Sequence, residues 1–148
     1  MRESNTRKPK IRKKIKINCF GFPKTVVPKL IKAGRLVLSK SKIASSMINI
    51  ILVPDEKIKN LNKTFRKVNR VTDVISFKIN SSPLLGDIYI AKERSIKQSK
   101  KVRHSWEKEL IYLVLHGVLH LLDYRDYALK ERSKMFSKQD KIFQCLFS

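Results

Sequence analysis

Residues 106–126 read WEKELIYLVLHGVLHLLDYRD, and the rest of the chain is organised around this stretch. Trp106 to Leu122 has the length and apolar content of a helix. His116 and His120 lie one turn apart within it, so both imidazoles leave the same helix face within reach of one ion. Neutral imidazole nitrogen is a good zinc donor, and a helix fixes both rings before a metal arrives. The spacing alone is a weak signal, because an isolated HxxxH more often marks packed or solvated histidines. The context is stronger. The chain has three histidines and two of them fall here, in a segment otherwise too apolar to suit unpaired imidazoles. Asp123 and Asp126 follow closely and offer carboxylate oxygens. Where a zinc peptidase helix would carry glutamate as general base, this one has Gly117, which argues against amide hydrolysis.

Working outward, Ile11, Ile15 and Ile17 alternate with lysines and predict a strand to about Phe20. Gly21-Phe22-Pro23 marks a turn. Val27, Leu30, Ile31, Leu36 and Val37 form a helical stripe over about 26–39. Met47 to Val53 is β-branched-rich and stops at Pro54, as expected of a buried strand. Asp55 to Arg66 reads as a helix with Asp55 capping its start. Val74 to Ile79 and Leu84 to Ile90 read as strands joined by the loop Asn80-Ser81-Ser82-Pro83. Helices are expected over 91–102 and from Tyr127 to Leu146. The sum is an α+β fold: one small mixed four-stranded sheet covered by about five helices in a single compact domain. Residues 1–10 are expected to be a flexible basic arm, with the domain spanning 11–148.

The chain has 148 residues, and 42% hydrophobic content suffices for a real core. Thirty-four Lys and Arg oppose twelve Asp and Glu, for a formal charge of +22. So basic a domain concentrates polyanions at its surface, whether RNA, DNA or anionic membrane, with an affinity that falls as salt rises. No apolar run approaches the roughly 20 residues that span a bilayer. The basic N-terminus lacks the apolar core of a secretory signal. Cys19 and Cys145, near opposite ends, make no disulfide framework, are expected to behave as small apolar residues, and fit a reducing cytoplasm.

Four segments together resemble one family. His116-Gly117-Val118-Leu119-His120-Leu121-Leu122 is similar to the H-G-x-L-H-L-x-G-Y-D-H signature of the YbeY endoribonucleases. Asn62-Lys63-Thr64-Phe65-Arg66 resembles that family's N-x-x-[YF]-R. Thr72-Asp73-Val74-Ile75-Ser76-Phe77 resembles its T-[DN]-V-L-S-F, and Leu85-Gly86-Asp87-Ile88 its L-G-D-I. The motifs occur in the family's order and cover about Ile48 to the C-terminus, whereas the N-terminal third matches in pattern only. The resemblance implies a zinc-dependent endoribonuclease with one Zn2+ per chain. Its implied substrate is single-stranded RNA, not DNA, in the maturation of the 3′ end of 16S ribosomal RNA and in ribosome quality control, at the small ribosomal subunit in the cytoplasm. It also implies three histidine ligands. His116 and His120 match two, but Asp126 stands where the third is expected, and Asp123 and Arg125 replace a Gly and an Asp.

Asp is an accepted zinc ligand, and three protein ligands leave an open position for water. A carboxylate is anionic where imidazole is neutral, so it leaves a bound water somewhat less acidic. Asp123 tolerates the left-handed backbone that the family's glycine would supply. The expected metal ligands are thus His116, His120 and Asp126. The expected catalytic residues are His116, His120 and Arg66, whose guanidinium suits a phosphate. Either water or the ribose 2′-hydroxyl can act as nucleophile, and cleavage of DNA would exclude an obligatory 2′-hydroxyl route. The alternative is a catalytically impaired, ribosome-associated RNA-binding protein that keeps the fold. Asp73 and Asp87 are expected to cap turns, the commoner use, or to orient a ligand histidine, and neither is expected to catalyse. Ser76 is expected to be a strand residue, His104 a solvated one and Trp106 a packed helix start. Gly86 is expected to relieve a tight approach between strands.

Overall fold

The computed structural model describes residues 13–67 and 72–147. The arm expected over 1–10, and Ile11 at the expected start of the first strand, lie outside these residues. Four strands form one sheet in the order β1-β2-β4-β3: β1 (Lys14–Phe20), β2 (Ser45–Val53), β3 (Val74–Ser81) and β4 (Leu84–Ala91). β1, β2 and β4 run parallel, and β3 returns antiparallel to β4. The helices are α1 (Val27–Ser39), α2 (Asp55–Leu61), α3 (Lys92–Lys101), α4 (Trp106–Leu121) and α5 (Leu129–Phe147). The α+β reading, with one mixed four-stranded sheet, five helices and a single compact domain, therefore holds. β3 runs further than expected, through Asn80 and Ser81, because that segment pairs with Leu84 and Leu85 across the turn.

Period-two alternation decides the layers. Ser46, Ile48 and Ile50 of β2, with Leu84, Gly86, Ile88 and Ile90 of β4, are buried beneath α1 and α4. The intervening residues face the opposite side, where α2 covers a smaller cluster of Ile58, Ile75 and Ala91. In α1, Leu30 and Val37 of the expected stripe are buried, joined by Ala33 and Leu38. α4 is apolar nearly all round, and Leu110, Val114, Leu115, Val118 and Leu119 are wholly buried. Each such side chain contributes about 1.5–3 kcal/mol relative to exposure.

Two glycines let this helix lie on the sheet. A Cβ at Gly117 would come 2.7 Å from Ile88 Cγ2, and one at Gly86 would come 2.8 Å from Leu121 Cδ2 and 3.1 Å from the Phe77 carbonyl oxygen. The approach expected at Gly86 is therefore chiefly helix onto strand, with the neighbouring strand second. Gly117 faces the sheet, so a peptidase-type glutamate has no room there.

The helix expected over 55–66 changes character midway. After Leu61 it widens into a π-helical turn, Asn62–Arg66, which closes at Lys67 in the left-handed region (φ 56°) with the Lys67 amide donating to the Asn62 carbonyl. Asn62 is buried and donates to Thr72 Oγ1 at 3.3 Å, tying this turn to the start of β3. Asp55 does not cap its own helix. Its carboxylate accepts from the Arg94 amide in the first turn of α3, while Glu93 accepts from the Asp55 amide. The two helix starts thus cap each other across the fold, satisfying amides that each helix leaves open.

Candidate metal centre

α4 ends in a Schellman turn. The Tyr124 amide donates to the Leu119 carbonyl and the Asp123 amide to the His120 carbonyl, both at 3.0 Å. Asp123 occupies the left-handed position at φ 70°, the conformation expected of it, and its carboxylate pairs with Lys78 Nζ at 2.6 Å. The turn reverses the chain. It brings the Tyr124 carbonyl to 3.1 Å from His120 Nδ1 and returns Asp126 towards both imidazoles.

Hydrogen bonds then fix how each ring faces. Gln139 of α5, wholly buried, donates its amide nitrogen to the Tyr112 carbonyl, which turns its oxygen towards His116 Nδ1 at 2.9 Å. An amide oxygen only accepts, so Nδ1 of His116 carries the proton. The Tyr124 carbonyl imposes the same tautomer on His120. Both Nε2 atoms therefore present lone pairs. They stand 3.0 Å apart, with Asp126 Oδ2 at 3.5 Å from His116 and 3.4 Å from His120. Two lone pairs and a carboxylate oxygen facing one another can share a cation. Ligands about 2.0–2.1 Å from a tetrahedral ion stand roughly 3.3 Å apart, and the three separations here bracket that edge. These residues can hold a metal ion. Burial pushes the His116 pKa below its ordinary 6.5, and the neighbouring His120 adds to this against the opposing effects of Gln139 and Asp126. Burial thus favours the neutral ring, the form that ligates.

The three donors open into a cleft of about 1080 Å³ between α4, α5, the π turn and the start of β3. Arg66, expected to act with the histidines, lines this cleft from the end of the π turn and is exposed. Asp73 lines it too, but its carboxylate accepts from Arg94 Nε at 2.6 Å. Asp87 accepts from Asn49 at 3.1 Å. Among the described residues, the hydrogen bonds of these two carboxylates go to Arg94 and Asn49 and not to a histidine. Ser76 Oγ donates to the Gly117 carbonyl, so it fastens strand to helix. Trp106 begins α4 half-buried, its indole donating to Ser95 Oγ.

His104 departs from its expectation. It is partly buried and pairs with the buried Glu109 at 2.7 Å, because the loop after α3 folds it back onto the first turns of α4. Burial raises the Glu109 pKa and the His104 contact opposes that. Cys19 fits the apolar reading, half-buried with its thiol pushed up to about 11 by burial. Cys145 does not, since it lies exposed on α5. Sequence reading missed Gln139 and the Tyr124 carbonyl. Gln139 did leave a signal, as the polar member of the buried α5 stripe Met135, Gln139 and Ile142. A backbone carbonyl leaves none.

Comparison with known proteins gives a consistent picture. The sequence model described as Endoribonuclease YbeY matches residues 12–146. An Endoribonuclease YbeY of Endomicrobium trichonymphae is 50% identical over 131 residues, covering 88% of this chain and 93% of that protein. One from Phytoplasma australiense is 40% identical over 107 residues, covering 68% and 74%. The solution structure of TM1509 from Thermotoga maritima aligns with a TM-score of 0.64 at 30% identity, covering 88% of this chain and 89% of that one. On the breadth of these matches, the chain belongs to the YbeY endoribonuclease family.

Proposed function

We propose that this chain is a zinc-dependent endoribonuclease that cuts single-stranded RNA during ribosomal RNA maturation and ribosome quality control, working at the small ribosomal subunit in the cytoplasm. The observation that carries the reading is the convergence of His116 Nε2, His120 Nε2 and Asp126 Oδ2 at mutual distances of 3.0, 3.4 and 3.5 Å, inside a cleft that also holds Arg66. The family's relatives are named endoribonucleases, and the +22 charge suits a polyanionic substrate. Among the described residues no helix is long and apolar enough to cross a membrane.

His116, His120 and Asp126 are the ligands, and Asp126 takes the place of the family's third histidine. When bound, a zinc ion lowers the pKa of a coordinated water and polarises a phosphoryl oxygen. Gln139 and the Tyr124 carbonyl hold the imidazoles in the ligating tautomer throughout. Arg66 meets the phosphate with paired N–H donors and steadies the charge that develops on it. Elemental analysis of the purified protein, with cleavage of an unpaired RNA by wild type, His116→Ala and Asp126→Ala, tests the reading. The expected result is one zinc per wild-type chain, with metal and cleavage lost together in both variants. RNA binding by a wild-type protein that takes up no metal would favour the non-catalytic alternative, and full metal content in Asp126→Ala would remove Asp126 from the ligand set.

A further inference from the structure

Tyr127 follows Asp126 directly and lines the same cleft, yet it is 73% exposed. Tyr112, deeper in, is half-buried and donates to Asp140. Among the described residues, the hydrogen-bond and ring contacts of Tyr127 are with Arg125, whose guanidinium lies 5.8 Å from the ring centroid and donates to the phenol oxygen. Phe65 is also exposed beside a site residue, but its ring leans edge-on against Phe77 and belongs to the packing of the sheet's other face. A second arginine–aromatic pair lies on the same wall as the histidines. Arg132 sits over Phe136, and that ring is 5.7 Å from His116. Cations paired with aromatic rings, one of them the exposed ring of Tyr127, along a cleft that holds a metal-ligating cluster are the combination that holds unpaired nucleic acid. The cation meets the backbone, and any base can stack on the ring. A base inside a duplex is already stacked and cannot do so.

We propose that Tyr127, braced by Arg125, is the stacking platform for an unpaired nucleobase flanking the phosphate that the His116, His120 and Asp126 site engages. This rests on the endoribonuclease reading and assigns its preference for single strands to a residue outside the ligand set.

The test is equilibrium binding, in chelator so that no cleavage intervenes, of a short unpaired oligoribonucleotide carrying 2-aminopurine, whose fluorescence is quenched by stacking. Tyr127→Ala is expected to weaken binding about tenfold and to reduce the quenching, while Tyr127→Phe matches wild type. A strand of the same length with abasic sugars is expected to bind wild type and Tyr127→Ala equally, since only the base meets the ring. Unchanged binding and quenching in Tyr127→Ala, an equal loss on the abasic strand, or no binding by wild type would each overturn the proposal. Thermal melting of Tyr127→Ala at the wild-type temperature separates a lost contact from a lost fold. Wild-type cleavage in the metal-loaded protein reports the other reading separately. Cleavage without the Tyr127 effect sinks the platform alone, and the Tyr127 effect without cleavage sinks the endonuclease alone.

Discussion

On the α4–α5 wall of the cleft, each imidazole is held by an acceptor that is itself fixed, whereas on the opposite wall Arg66 stands exposed at the end of a π turn. Among the described residues Arg66 makes no side-chain hydrogen bond or ion pair. The difference follows from what each wall is proposed to do. A metal site needs its donors placed to within a few tenths of an ångström, so rigidity there is bought with a buried glutamine and a Schellman turn. A phosphate arrives with the substrate, so the group that meets it needs reach and charge more than a fixed pose. Changes on the first wall should therefore appear in metal content, and changes on the second only in turnover.

The largest expected effect contrasts the walls directly. Arg66→Ala should lower the rate of RNA cleavage by about 10²–10³-fold with metal content and melting temperature unchanged, as read by cleavage assay beside elemental analysis. A parallel loss of metal would mean that the walls are not independent. Next, Gln139→Ala should weaken metal affinity by about 10–100-fold by freeing the His116 ring, measured by competition with a chromophoric chelator. Unchanged affinity would show that helix geometry alone orients the ring.

The pH dependence is smaller. Burial lowers the folded-state pKa of His116 below 6.5, so between the two values the unfolded chain binds the proton more readily. The stability tied to the neutral ring is present above pH 6.5 and is lost as pH falls through the folded value. Denaturant titrations of the chelated protein should show this slope in wild type and not in His116→Asn. The smallest effect belongs to Asp123→Gly. Glycine relieves the left-handed strain at φ 70° but gives up the pair with Lys78. These opposing terms should change stability by less than about 1 kcal/mol, with metal content intact.

Much of this was legible in the chain. The strands announced themselves through β-branched runs bounded by Pro and Gly, and α4 through its length and apolar content. What failed to show was mutual rather than local. Asp55 looked like a cap for its own helix because composition cannot reveal that the start of α3 lies beside it. His104 looked solvated because its neighbours in sequence are basic, whereas its neighbour in space is Glu109. The π turn was hidden because an extra residue in a helical turn changes the hydrogen-bond partner and not the residue types.

The sequence by itself determined the helix that bears His116 and His120, the spacing that aims both rings one way, and the non-glycine residue able to leave that helix in a left-handed turn. Those properties are written in residue type and separation along the chain, which local backbone geometry reads directly. Only the tertiary structure decided that Asp126 returns to within 3.5 Å of both rings, that Gln139 sets a tautomer from another helix, and that Arg66 shares their cleft. Each of these depends on where a chain reversal or a packed helix places atoms distant in sequence, and packing fixes such positions only when the whole core has formed.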